Sequence, residues 1–331
     1  MKTTKVVVSL LLTVILVLSL VACSKPAAEA PKADAPAASN ADGGIPKSLV
    51  LSSGPSGGNW YSMGAVFAEV LTNAGTQCSS EAGGGTQNII AVGEKQSDIA
   101  FCNLFAMLDA YEAKEPYTRE YKDVITLMSL ETNLMYLIVP ADSAIAGVKD
   151  LKGKTVAVSS VGSTAYTMAM DVLKCAGLDP EKDLTIKAAS MSEDADLMKD
   201  RLADAFLIMT GVSNATLMDL AQSIDVKFVD LEEDVRKAMA DLNPGYFDFQ
   251  HPAGTYKGED KGFITSCSKG ALICSADMSE EEAYWITKTL VEHFDDIKAT
   301  CAWLSAVTPE TMQDVGSLTM HPGAKKYFDG K

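Results

Sequence analysis

Residues 49–73 read LVLSSGPSGGNWYSMGAVFAEVLTN and join a short apolar run to a longer amphipathic one. Leu49–Ser53 reads as a buried strand, and apolar residues at helical spacing predict a helix from Trp60 to Asn73. Three glycines and three serines fill the segment from Ser52 to Gly58 between them. A strand that enters a helix through such a loop is typical of α/β proteins, whose ligands bind beyond the carboxyl ends of the strands.

The rest of the chain repeats this alternation of strand-like and helix-like runs, which predicts parallel sheets covered by helices. Further strands are expected at 77–82, 99–102, 124–130, 134–139, 155–158, 184–188, 205–209, 226–229, 263–266 and 271–274. Further helices are expected at 86–92, 104–113, 163–175, 214–221, 231–240, 280–294 and 295–304. A chain of 331 residues is long enough for two such lobes.

Three more loops resemble the first in composition, at 83–88, 159–164 and 209–214, and each precedes a predicted helix. Backbone N–H groups and the helix dipole make such helix N-termini suitable for binding an anion. Four loops of this kind favour an anion-binding cleft over ordinary tight turns. The candidate ligand-binding residues in them are Gly54, Ser56, Gly58, Tyr61, Gly85, Thr86, Asn88, Ser160, Gly162, Ser163, Thr164, Thr210 and Gly211.

Basic residues are missing from these loops. No lysine follows a glycine run as in a Walker loop, and the first loop lacks a proper GxGxxG, so nucleotide sites are not favoured. The arginines are Arg119, Arg201 and Arg236, all outside the loops. We therefore expect backbone amides and hydroxyls to hold a carboxylate. The alternative is a lysine or arginine that reaches in from a neighbouring helix.

The first 22 residues have the organisation of a secretory signal peptide, with Lys2 and Lys5 before an uncharged apolar run. The run ends in Leu20-Val-Ala-Cys23, which resembles a bacterial lipobox and predicts lipidation of Cys23. A plain N-terminal membrane anchor is the alternative. Residues 23–45 are mostly small and polar and read as a flexible linker. The chain is therefore expected outside the cytoplasmic membrane, in contact with it only through the lipid.

Composition excludes several other functions. A formal net charge of −16 without a basic cluster argues against nucleic-acid binding. Six cysteines remain besides Cys23, and disulfides between them are permitted outside the cytoplasm. Several of these cysteines lie in apolar runs and no CxxC occurs, which favours free thiols. His251, His293 and His321 lack metal-ligand spacing, and no base is evident for a serine or cysteine nucleophile. We expect no metal, no cofactor and no catalysis.

Several segments together resemble the TAXI family, the extracytoplasmic solute receptors of one class of TRAP transporters. The most specific are Ser53-Gly-Pro-Ser-Gly-Gly-Asn-Trp-Tyr-Ser-Met-Gly64 and His321-Pro-Gly-Ala-Lys-Lys-Tyr327. Matches also occur at 88–100, 151–163, 204–211, 254–256 and 282–290, so the resemblance extends over the chain after Lys47. Asn103 stands where this family commonly has Gln and joins the expected ligand residues.

The resemblance implies a type II periplasmic-binding-protein fold, in which two α/β lobes close on a solute in the cleft between them. Lobe one is expected at 46–138 and 250–331, and lobe two at 139–249. The implied solute is a small organic anion, such as a dicarboxylate or an acidic amino acid. The implied partner is an ion-gradient-driven TRAP permease in the membrane, and the receptor is expected to be monomeric. A solute-sensing lipoprotein and an exported enzyme with a Gly-rich anion site are the alternatives.

Overall fold

A computed structural model describes residues 44–330. The expected signal peptide, Cys23 and the linker as far as residue 43 lie outside the described residues. None of the helices within 44–330 is long and apolar enough to cross a membrane.

Ten strands and ten α-helices make up this part of the chain. The strands are β1 (Ser48–Ser52), β2 (Gln77–Glu81), β3 (Ile99–Asn103), β4 (Val124–Pro140), β5 (Thr155–Ser159), β6 (Thr185–Ala189), β7 (Ala205–Gly211), β8 (Val226–Val229), β9 (Phe247–His251) and β10 (Phe263–Ser275). The helices are α1 (Asn59–Asn73), α2 (Gly85–Gly93), α3 (Leu104–Tyr111), α4 (Thr164–Cys175), α5 (Met191–Lys199), α6 (Ala215–Ser223), α7 (Glu233–Leu242), α8 (Glu280–Glu292), α9 (Phe294–Thr300) and α10 (Pro322–Asp329). Short 3-10 turns occur at Val148–Leu151, Ala302–Leu304 and Thr311–Gln313.

The strands form one mixed sheet in the order β2-β1-β3-β10-β4-β7-β5-β6, with β8 beside β4 and β9 beside β10. Strand β1 runs parallel to β2 and β3, and β5 runs parallel to β6 and β7, as the alternating pattern predicted. The pairs that involve β4 or β10 are antiparallel. Two parallel βα layers are therefore joined through a central antiparallel pair, which is the arrangement of two α/β lobes.

Strands β4 and β10 connect the lobes. The sequence predicted each as two separate strands, but β4 runs unbroken for 17 residues and β10 for 13. The first part of β4 pairs with β10, and from Asn133 onward β4 also pairs with β7. The polar segment Glu131–Asn133 interrupts the apolar run, yet its backbone continues the sheet. The lobe boundaries near 139 and 249 remain a prediction.

The sequence analysis missed three elements that the structure contains, namely α5, β9 and α10. Helix α5 begins with a capping box, in which Ser190 and Glu193 satisfy each other's backbone N–H groups. His321 caps α10 through Nδ1, which accepts from the Gly323 N–H at 3.1 Å, and Pro322 follows it as the first helical residue. The predicted helix at 295–304 is shorter and continues as a 3-10 turn.

Two apolar clusters stabilise the molecule. One packs α1 against β1, α8 and α10, with Met63, Phe67 and Leu71 fully buried. The other extends from α2 and α3 across β4 to α4 and α5 in the second lobe. The six described cysteines are free thiols, and Cys102, Cys267, Cys274 and Cys301 are buried. They act as small apolar groups of the core.

Candidate functional site

Three helix N-termini meet at a cavity of about 50 Å³ between the two layers. Helix α1 has 15 residues, α2 has 9 and α4 has 12, and each begins at the end of a loop that follows a strand. The N-caps of α1 and α2 are Gly58 and Gly84, which provide no side-chain cap. The first N–H groups of these helices thus lack an acceptor within the helix and carry partial positive charge toward the cavity.

The cavity is lined by residues from both lobes. They are Pro55, Gly58, Asn59, Trp60, Gly85, Asn133, Ser159, Ser163, Thr164, Ala165, Met191, Ile208, Met209 and Thr210. Five predicted ligand residues are therefore brought together here, namely Gly58, Gly85, Ser163, Thr164 and Thr210. Gly211 lies close by, since a Cβ there would be 2.9 Å from Nδ2 of Asn59. No lysine or arginine is among the lining residues.

Other predicted ligand residues make hydrogen bonds that hold the loops in place. Nδ2 of Asn88 donates to the carbonyls of Ser52, Ser53 and Phe101, and its Oδ1 accepts from the Gly84 N–H at 3.1 Å. Asn88 thereby fixes two of the loops relative to each other. Gly54 has a similar role, because its carbonyl accepts from the Gly83 N–H at 3.3 Å.

The α4 loop is held in the same way. The hydroxyl of Ser163 accepts from the Tyr166 N–H and donates to the Ser160 carbonyl at 2.7 Å, so its hydrogen bonds are made within the protein. Asn103 lies in β3, and its Nδ2 donates to the Lys269 carbonyl at 3.4 Å. Its Oδ1 is buried and has no hydrogen-bond partner within residues 44–330.

Four predicted ligand residues lie outside the cavity lining. Ser56 is exposed and Tyr61 is 47% exposed on α1. Thr86 and Gly162 line a neighbouring groove of about 930 Å³, whose charged groups are Glu115, Asp171, Lys174, Asp179 and Glu181. Their roles as ligand residues remain predictions.

The lobes touch each other on both sides of the cavity. On one side the Gln87 N–H donates to the Gly162 carbonyl at 3.1 Å, and the hydroxyls of Thr86 and Thr167 are also 3.1 Å apart. On the other side the Gly57 carbonyl accepts from Nδ2 of Asn214 at 3.3 Å and from Oγ1 of Thr216 at 3.1 Å. The structure is therefore a closed form, in which the loops that face the cavity are bonded across it.

Glu131 is a buried acid that contacts the cavity-lining residue Trp60 and is not among the predicted ligand residues. Glu131 on β4 is 4% exposed, and its Oε1 accepts from the indole N–H of Trp60 at 2.5 Å. Burial raises the pKa of Glu131, and the Trp60 indole and the Asn133 amide offset part of that rise. Oε2 of Glu131 and Nδ2 of Asn133 are both buried, and Glu131 is not among the residues that line the cavity. A lone acid inside an apolar strand-like run was the available sequence indication.

The three arginines form ion pairs outside the cavity lining. Arg119 contacts Glu94 and Asp123 on the surface, and Arg201 lies 3.5 Å from Asp142. Arg236 pairs with Asp248. Within residues 44–330 no group of three or more His, Cys, Asp and Glu side chains could hold a metal ion.

Two α/β lobes joined by long central strands, with helix N-termini at the cavity between them, are the fold of periplasmic solute-binding proteins. The profile of the NMT1-like family matches residues 51–331, and the chain belongs to that family. A comparison with curated protein sequences finds no match.

Two solved structures illustrate the structural similarity. A protein from Listeria monocytogenes assigned as an L-cystine ABC transporter is similar with a TM-score of 0.51 at 14% identity, over 79% of this chain and 97% of that one. The periplasmic aliphatic sulphonate binding protein SsuA from Escherichia coli is 14% identical over 86% of this chain and 84% of its own, with a TM-score of 0.44. The chain thus belongs to the NMT1-like family and shares its fold with the Listeria monocytogenes protein.

Proposed function

We propose that this protein is an extracytoplasmic receptor that binds a small organic anion between its lobes and delivers it to a membrane permease. The observation that carries this proposal is the convergence of three helix N-termini on a cavity lined without lysine or arginine. A carboxylate there would accept hydrogen bonds from backbone N–H groups and interact with three helix dipoles. A dicarboxylate or an acidic amino acid supplies such a group.

Closure of the two lobes explains how the permease can distinguish a receptor that holds solute from an empty one. The solute would touch loops of both lobes, so it binds more tightly to the closed form and shifts the population toward it. The permease then recognises the closed receptor by the relative position of the lobes. This role requires two long connecting strands and a cavity between lobes, both of which the chain has.

The permease is proposed to be of the TRAP type, because the resemblance to TAXI receptors extends over the chain after Lys47. An ABC permease is the second candidate, since the Listeria monocytogenes structure with the same fold is assigned to an ABC transporter. Transport by the reconstituted permease distinguishes them. Uptake driven by an ion gradient without ATP supports the TRAP type, and an absolute requirement for ATP supports the ABC type.

Localisation follows the same proposal. Residues 1–22 would be removed, and Cys23 would carry the lipid that keeps the receptor near the permease. Labelling with a radioactive fatty acid tests this, with Cys23→Ser as the comparison. Label in the wild type and none in the variant is expected, and equal label in both would overturn the lipid anchor.

A thermal-shift screen of small carboxylates tests solute binding. A ligand at 100 times its Kd stabilises the folded state by about 2.7 kcal/mol. For a protein of this size each kcal/mol raises Tm by roughly 2–4 °C. A shift with at least one small carboxylate is expected, with the corresponding amide as the control. If carboxylates, amides, sulphonates and amines all leave Tm unchanged, the proposed function fails.

A further inference from the structure

Asn214 is a buried side chain that joins the two lobes. It is 1% exposed and is the N-cap of α6, where its Oδ1 accepts from the Leu217 N–H at 3.1 Å. Its Nδ2 donates to Oδ1 of Asn59 at 2.7 Å and to the Gly57 carbonyl at 3.3 Å. Asn59 is the first residue of α1 and lines the cavity. One side chain thus caps a helix of one lobe and holds the cavity loop of the other.

The backbone before Asn214 has a conformation that needs support. Ser213 has φ +60°, in the left-handed region that residues with a side chain seldom occupy. The peptide between Ser213 and Asn214 presents its N–H to the Tyr256 hydroxyl, which accepts at 3.1 Å. This bond fixes the peptide, and it therefore fixes the position from which the Asn214 side chain reaches the other lobe.

Tyr256 is itself held firmly by aromatic packing. It is 4% exposed, and its ring stacks on Phe228 of β8 with the centroids 5.0 Å apart. The edge contact with Tyr136 of β4 has a centroid distance of 5.9 Å. Tyr256 is not among the residues that line the cavity. Its hydroxyl thus supports the Ser213 turn from outside the cavity.

A buried acid fixes the turn that carries Tyr256. Oε2 of Glu259 accepts from the backbone N–H groups of Thr255 and Tyr256 at 3.0 and 3.1 Å. Oε1 of Glu259 lies 2.5 Å from Nδ1 of His251, and both of these side chains are 0% exposed. The backbone at Tyr256 is therefore anchored to the end of β9, so the hydroxyl has a fixed position.

We propose that Tyr256 is a positioning residue for lobe closure, which acts through Asn214. Its hydroxyl holds the Ser213 turn so that Nδ2 of Asn214 meets Asn59 and Gly57. Without the hydroxyl the buried Asn214 N–H loses its acceptor, the turn relaxes, and the closed form of the solute-free chain becomes less populated. This inference rests on the proposed function, in which closure of the lobes is what the permease recognises.

Two engineered cysteines on the opposite side of the cavity report closure without a solute. The hydroxyls of Thr86 and Thr167 are 3.1 Å apart across the lobes. Thr86→Cys combined with Thr167→Cys should therefore form a disulfide when the lobes are closed. Cys78 and Cys175, which are partly exposed, are replaced by serine in every sample so that they do not compete. The initial rate of disulfide formation at a fixed oxidant concentration, followed on non-reducing gels, then measures the closed population.

Tyr256→Phe in this reporter chain is expected to slow disulfide formation by about three- to tenfold, the effect of one hydrogen bond on the closed population. Tyr111→Phe is the matched control. It removes a hydroxyl bond to the Val124 carbonyl at 2.8 Å within one lobe, and it should leave the rate unchanged. An unchanged rate in folded Tyr256→Phe overturns the inference, as does a reporter chain in which no disulfide forms at all.

Asn214→Ser tests whether Tyr256 acts through Asn214. Serine keeps an N-cap oxygen for α6 but is too short to reach Asn59. It is expected to slow the disulfide at least as much as Tyr256→Phe does, and the double variant should be no slower than Asn214→Ser alone. Slowing that adds up in the double variant would show that Tyr256 acts by another route, which overturns the inference.

The remaining outcomes are also decisive. Circular dichroism shows whether the variants fold. If Tyr256→Phe does not, Asn214→Ser decides, since an unchanged rate there removes the route through which Tyr256 is proposed to act. Loss of the rate effect removes the role of Tyr256 and leaves the receptor function standing. A solute screen without any shift in Tm removes the receptor function and leaves the disulfide rates as they are.

Discussion

At the scale of single residues, side chains near the cavity divide into two groups. The side chains of Asn88 and Ser163 hydrogen-bond to backbone atoms and therefore fix the loops. Asn59 and Asn133 are buried residues that line the cavity and do not hold these loops. This second group is therefore the better source of candidate ligand contacts.

Gly162 gives a prediction at this scale. Its φ is +89°, and a Cβ would lie 2.3 Å from Nε2 of Gln87 in the other lobe. Gly162→Ala is therefore expected to lose stability by roughly 1–2 kcal/mol for the left-handed backbone and, in addition, to weaken ligand binding by separating the loops. Urea unfolding and calorimetry measure the two effects.

Gly153→Ala is the matched control for that substitution. Gly153 has φ +77°, but a Cβ there meets nothing within 4 Å. The same backbone cost without a change in affinity is expected. If both variants bind the ligand as the wild type does, the Gly162 contact has no part in closing the cavity.

At the scale of elements, local patterns predicted most strands and helices but not the buried acid Glu131 beside Trp60. Loops such as Gly83–Asn88 could be recognised because glycine and hydroxyl residues before a helix indicate a helix N-terminus. Glu131 and Asn133 could not, because their importance comes from β10 and α1, which are distant in sequence and meet β4 only in the fold. Helix α5 could have been found from its capping box, Ser190 with Glu193.

Asp194 in helix α5 leads to a prediction about how protein stability depends on pH. Asp194 is fully buried, and this burial, with the charge of Glu193, raises its pKa from 3.8 to about 8, while the Ala189 backbone opposes the rise only in part. Between these two values the folded state binds a proton that the unfolded state has lost. Stability contributed by Asp194 is therefore present below the unfolded pKa and is lost as pH rises through the folded pKa.

Asp194→Asn should remove this dependence. Tm of the wild type relative to the variant is expected to fall steadily from pH 5 to pH 8 and to level off above that, because the amide cannot ionise. Differential scanning calorimetry across this range is the measurement. Asp200→Asn, at the exposed end of the same helix, is the control, and its Tm should change with pH as that of the wild type does. A constant difference in Tm between wild type and Asp194→Asn would show that Asp194 does not titrate in this way.

At the scale of the whole molecule, the closed state depends on bonds between the lobes. The Thr216 hydroxyl donates to the Gly57 carbonyl at 3.1 Å, and Asn214 supports the same carbonyl. Thr216→Val should favour the open form and lower ligand affinity by about two- to tenfold, since a net hydrogen bond is worth about 0.5–1.5 kcal/mol. Thermal stability should change little.

Small-angle scattering and calorimetry measure the Thr216 effect. The ligand-free variant is expected to have a radius of gyration equal to or larger than that of the wild type, and saturating ligand should reduce both. Thr185→Val, on the exposed side of the edge strand β6, is the control. Unchanged affinity for the Thr216 variant would mean that this contact forms without influencing closure.

The unbroken course of β4 and β10 through both lobes has a mechanical consequence. A hinge made from two hydrogen-bonded strands behaves as a flexure, in which a thin strip bends while resisting sliding and torsion. Points on the bending line of a flexure move least, and points far from it sweep the longest arcs. Glu131 and Asn133 lie in the stretch of β4 where pairing passes from one lobe to the other, whereas the α2 and α4 N-termini lie out on the lobes. Asn133, which lines the cavity near this bending line, is therefore expected to move little, while the N-termini of α2 and α4 travel toward it as the lobes close.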